Sequence, residues 1–183
     1  MRDVPTQFGT VDTELSTKNV LVFHNAETGE TVLGIRGTVR RGEWGFDART
    51  IALQAAEEES SFFHRTYYDL ARRVTAKYGA KPVAAYGHSL GGNAAIRLAD
   101  RGLVERSVTL NPFVRPSSIG DAQHAIYRTG DDPALLSFEA IPRSERSGMI
   151  ENAGPNTELH VIPRSSARSV VDPVHAHSLD RFV

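Results

Sequence analysis

Short apolar runs of strand length alternate along this chain with longer amphipathic stretches. Val20-Leu21-Val22-Phe23 reads as a strand, Ala26-Glu27-Thr28-Gly29-Glu30 as a hairpin turn, and Thr31-Val32-Leu33-Gly34-Ile35 as the returning strand. A loop rich in glycine and charge follows, from Arg36 to about Asp47. From Ser61 to Tyr78 the apolar spacing becomes helical: Phe63, Tyr67, Leu70, Ala71, Val74 and Tyr78 share one face. Arg65, Asp69, Arg72, Arg73 and Lys77 fall largely elsewhere, and Gly79 with Pro82 closes the helix.

Val83-Ala84-Ala85-Tyr86 is a buried strand, and a turn begins at Gly87. A second helix starts near Leu90, carries Ala94, Ala95, Leu98 and Ala99, and stops at Gly102. Ser107-Val108-Thr109-Leu110 is a strand broken by Asn111-Pro112, and Ala125–Arg128 and Glu158–Ile162 are two more. Alternating strands and helices predict an α/β fold: a mostly parallel central sheet with helices on both faces, in one domain over residues 1–183. In such sheets functional groups gather at the carboxyl ends of strands.

Composition narrows the classes. A hydrophobic fraction of 40% with 23% charged residues is that of an ordinary globular protein. A net charge of -1, with basic residues scattered among acidic ones, argues against a nucleic-acid partner. Without cysteine there is no disulfide, thiolate metal site or cysteine nucleophile. No apolar run approaches the roughly 20 residues of a transmembrane helix, and the first residues lack the apolar core of a signal peptide. The cytoplasm is therefore the default compartment, with secretion or association with a virion left open. Oligomeric state is not legible.

The chemistry concentrates at Gly87-His88-Ser89-Leu90-Gly91, a serine centred between two glycines after a strand and before a helix. By composition about 0.06 such pentapeptides would arise by chance in a chain this long, and this one sits in the required context. The pattern forces a sharp strand-to-helix turn that presents the serine hydroxyl. The helix behind it aims backbone N–H groups at a developing negative charge.

Gly87-His88-Ser89-Leu90-Gly91-Gly92 is similar to the nucleophile elbow of class 3 lipases, the fungal-lipase-like branch of the α/β-hydrolases. Arg36-Gly37-Thr38, followed by Glu43-Trp44 and Asp47, resembles a second segment of that family, although glutamate stands before the tryptophan. The resemblance runs from about Val32 to Asp100, in a chain shorter than typical fungal lipases. It implies an esterase or lipase acting on a small ester or lipid, with no cofactor.

An acyl-transfer site needs two oxyanion donors and a base held by an acid. The N–H of Leu90, next after the nucleophile, is one expected donor. The resemblance makes Thr38 the other, with Arg36 and Asp47 as a pair bracing its loop. The fold orders the triad as serine, acid, histidine, and only His124, His160, His175 and His177 follow Ser89. His160 lies inside a strand and His124 precedes every strong acid, which leaves His175 and His177. The family pattern selects His177, just before a final helix. Asp131 and Asp132 lie in the sharp loop after a strand, with Asp172 a further acid close to the histidines. An aspartate shortly before a proline is the family's acid, which points to Asp132 with Asp131 as its rival. His88 is read as packing beside the elbow.

No metal-ligand spacing appears. Residues 48–56 form a candidate cover, and Phe113, Ile119, Leu135 and Leu136 are candidates for an acyl pocket or for core. The size of the chain favours short- or medium-chain esters. Other chemistries fit the same triad: thioester or amide cleavage, or acyl transfer. A catalytically idle hydrolase fold used in binding or assembly is the reading from another class.

Overall fold

The structure is a computed structural model that describes residues 7–37, 62–112, 114, 119–129 and 155–162. Its elements are β1 (Thr10–Val11), β2 (Val20–His24), β3 (Thr31–Ile35), α1 (Phe62–Tyr78), β4 (Ala84–His88), α2 (Leu90–Asp100), β5 (Arg106–Leu110), β6 (Gln123–Thr129) and β7 (Thr157–Ile162). Thr38, Asp47, Asp131, Asp132, His175 and His177 lie outside the described residues, as do the candidate cover and Phe113, Leu135 and Leu136.

The strands form one sheet in the order β1-β2-β3-β4-β5-β6-β7. The first three pair antiparallel, and β3 through β7 are all parallel. The β2–β3 turn is closed by the Asn25 N–H on Glu30 O at 2.9 Å, with the Asn25 side chain accepting from the N–H of Glu27 at 2.9 Å.

Crossovers from β3 to β4 and from β4 to β5 step the same way along the sheet, so right-handed connections place α1 and α2 on the same face. There Val22 and Leu33 of the sheet meet Val74 of α1 and Leu98 of α2 in one core cluster. Each is essentially fully buried, worth about 1.5–3 kcal/mol apiece by removal from water. The opposite face carries an aromatic layer in which Phe8 packs on Phe23 and Tyr86, with ring centroids 5.9 and 5.1 Å away.

Two differences from the sequence reading have physical causes. β4 continues through Gly87 to His88, because the parallel ladder still pairs Gly87 with Ile35 and His88 with Leu110. Tyr68, adjacent to the expected apolar face of α1, is also buried, its ring covered by the Arg101 guanidinium 4.8 Å away.

Candidate active site

At the carboxyl end of β4 the chain turns into α2 within one residue. Ser89 carries the turn at φ 54 and ψ -121, a left-handed conformation that costs a non-glycine residue about 1–3 kcal/mol. Its surroundings fix it there. The Ser89 N–H donates to Leu110 O at 3.1 Å, and Ser89 O accepts from the N–H groups of Gly92 at 3.0 Å and Asn93 at 3.2 Å. The motif glycines are required by contact: a Cβ on Gly87 would overlap the Gly91 carbonyl, and one on Gly91 would overlap the carbonyls of Ile35 and Arg36.

Leu90 is the first residue of α2, so its N–H has no carbonyl within the helix to reach and points beyond the helix end. The loop leaving β3 closes on the same spot. A Cβ on Gly37 would stand 2.7 Å from the carbonyl oxygen of His88 and 3.0 Å from the Ser89 Cβ. Backbone therefore passes directly against the serine one residue before Thr38. Arg36 holds this loop to the segment before β2, its N–H on Asn19 O at 3.0 Å and its Nε on Asn19 Oδ1 at 3.1 Å. The same guanidinium acts on Tyr67, whose phenol is pushed up to about 12 by burial against the opposing pull of Arg36. The structure thus brings together Ser89, Leu90 and the approach to Thr38.

β6, which leads towards Asp131 and Asp132, lies two strands from β4 and runs parallel to it. Its carboxyl end shares the sheet edge of the elbow, about 10 Å away at ordinary strand spacing. Backbone hydrogen bonds stitch that edge: after Ser89 to Leu110, the Asn111 N–H donates to Tyr127 O at 2.8 Å.

Another serine, histidine and aspartate are joined at the other end of the sheet. The Ser107 hydroxyl is 2.8 Å from His124 Nδ1, and His124 Nε2 is 3.0 Å from Asp100 Oδ1, which also accepts the Gly120 N–H at 3.1 Å. With Nε2–H donating to the carboxylate, Nδ1 accepts from the serine: the partners follow the order of a catalytic triad, but with the two ring nitrogens exchanged. Ser107 is 0% and His124 2% exposed, and the hydrogen-bonded chain clamps α2, β5 and β6 together. Nothing in the spacing of these three residues announces the arrangement. His160 stacks on Tyr127, with centroids 4.5 Å apart, and its Nε2 lies 3.5 Å from Glu158. Ile119 packs beside Ile96, Val114 and Ile126, in a second core cluster. Among the described residues no group of three or more His, Asp or Glu side chains is placed to hold a metal ion, and no helix is long and apolar enough to cross a membrane.

A mostly parallel sheet, a strained serine between strand and helix, and a neighbouring loop laid against that serine define an α/β-hydrolase fold. No protein-family model matches the chain, and no curated protein matches it. Among solved structures it is similar to that of YahD with malic acid, at 16% identity and a TM-score of 0.39, over 80% of this chain and 77% of that one. So distant a likeness bears on neither reaction nor site residues. The broad fold is what the chain displays; membership of the class 3 lipases does not follow from these comparisons.

Proposed function

We propose that this protein is a serine hydrolase that cleaves carboxylic esters through a covalent acyl-enzyme. One observation carries the reading: Ser89 is held in a strained left-handed conformation at the carboxyl end of β4, with the Gly37 backbone against it. Strain of this kind persists where the surrounding structure enforces it, and it clusters at reactive sites. In the proposed reaction the Ser89 hydroxyl attacks the ester carbonyl while His177 takes its proton. Asp132 orients that imidazole, and the N–H groups of Leu90 and Thr38 receive the oxyanion. His177 then returns the proton to the leaving alcohol, and water releases the acid by the same steps. Asp131 and His175 are the nearest substitutes for the acid and the base. The segments that resemble class 3 lipases support this assignment, with short- or medium-chain esters as the proposed substrates.

The test is reaction with a fluorophosphonate probe, read as intact mass and by peptide mapping. One adduct on Ser89, lost in Ser89→Ala and His177→Ala but kept in His175→Ala, is the expected result. A folded wild type that takes no adduct would sink the hydrolase reading and favour an idle fold used for binding.

A further inference from the structure

Arg128 stands near the end of β6, three residues before Asp131 and four before Asp132. It is buried, 7% exposed, and its Nη2 donates to the carbonyl oxygens of Pro112 at 3.1 Å and Val114 at 3.5 Å. These carbonyls follow β5, beyond Leu110, the last residue of that strand paired in the described sheet. Buried carbonyls of this kind need donors, and a guanidinium can serve several at once. Pro112 in turn bears on the elbow helix: a Cβ on Gly92 would lie 2.8 Å from the Pro112 Cβ. A continuous line of contact thus runs from Arg128 through Pro112 to Gly92, three residues after Ser89.

We propose that Arg128 is a positioning residue for the hydrolytic site, setting the strand that leads to the candidate acid at a fixed distance from the nucleophile helix. The proposal rests on the hydrolase reading above. Arg128 acts through the Pro112 turn. Its effect follows from the tolerance of such sites, where misplacement by about 1 Å can lower the rate about a hundredfold. Methionine at this position would fill much of the space and donate to neither carbonyl. Lysine would restore a donor and the charge without the planar fork.

The experiment compares wild type, Arg128→Met and Arg128→Lys for fluorophosphonate labelling of Ser89 and for ester hydrolysis, across the pH range of histidine titration. The expected result is a folded Arg128→Met protein whose labelling rate and kcat fall about ten- to a hundredfold at unchanged KM. Its pH midpoint should shift, and Arg128→Lys should recover part of the rate. His124→Gln, at the opposite edge of the sheet, should lower the melting temperature and leave the labelling rate as in wild type. If Arg128→Met does not fold, Gly92→Ala pushes on Pro112 from the other side with Arg128 intact, and the same loss of rate is expected. Labelling of a folded Arg128→Met or Gly92→Ala protein within about twofold of wild type would overturn the role of Arg128 and leave the hydrolase reading standing. A wild type that takes no adduct would overturn both, which keeps the two failures apart.

Discussion

Gly37 lies so close to Ser89 that a methyl group on its α-carbon would stand 3.0 Å from the serine Cβ and 2.7 Å from the carbonyl oxygen of His88. Neither neighbour can yield easily, because His88 is paired in the sheet and Ser89 is pinned by backbone hydrogen bonds on both sides. Gly37→Ala should therefore displace the loop that leads to Thr38. On the proposed role of Thr38 as an oxyanion donor, where loss of one donor costs about 2.7–4 kcal/mol of transition-state stabilisation, a partial displacement should lower kcat by about ten- to a hundredfold. Steady-state hydrolysis of a chromogenic ester checks this. A Gly37→Ala variant as fast as wild type would separate the loop from the chemistry.

The strain at Ser89 predicts an opposition between stability and activity. Glycine tolerates φ 54, so Ser89→Gly should relieve about 1–2 kcal/mol of backbone strain and return part of it as chain entropy. A net gain of about 1 kcal/mol corresponds to a melting temperature about 2–4 °C higher in a chain of this size. The same variant should take no fluorophosphonate. A melting temperature equal to or below that of wild type would mean that the strain at Ser89 is no larger than the chain entropy glycine costs.

What the sequence reveals and what it hides divide along physical lines. The elbow is legible because five consecutive residues carry it, with the two glycines required by close backbone contacts. β2, β3, α1 and α2 are legible because their apolar periods are long enough to stand out. β1 is not: two residues paired on β2 leave no period to read. Arg128 is hidden because its role depends on a turn reached only through the sheet. Asp100, Ser107 and His124 are equally hidden, since three separate elements meet to join them. A search for a base by chain order alone passes over His124 without learning why it is there.

That buried chain makes a prediction of its own. Replacing His124 by leucine leaves the Asp100 carboxylate and the Ser107 hydroxyl without their present partner, a loss of about 3 kcal/mol by the usual cost of breaking a buried pair. Denaturant unfolding of His124→Leu should show it. Ser107 should nonetheless stay inert in the native protein, so Ser89→Ala carries no adduct anywhere. A modified Ser107 peptide from folded Ser89→Ala would show that triad-like geometry had outweighed burial.

Acid should loosen the opposite end of α1 before it reaches the elbow. Burial alone would raise the Asp12 carboxyl, but hydrogen bonds from Lys77, Tyr78 and the N–H groups of Leu15 and Glu14 outweigh it and hold the group at about 2. The contacts are short, 2.9 Å from Lys77 Nζ and 2.7 Å from the Tyr78 hydroxyl. Burial first, then the bond to Asp12, pushes the Tyr78 phenol up in turn. A carboxylate depressed in the folded state stabilises it fully above the unfolded value near 4. That contribution, about 2 kcal/mol at most, fades as pH falls from about 4 to about 2. Asp12→Asn should therefore be less stable than wild type at neutral pH, and the gap should narrow across that acid window. Thermal melts of both proteins through the window test it. A gap that stays constant with pH would show that the loss comes from packing and not from the charge on Asp12.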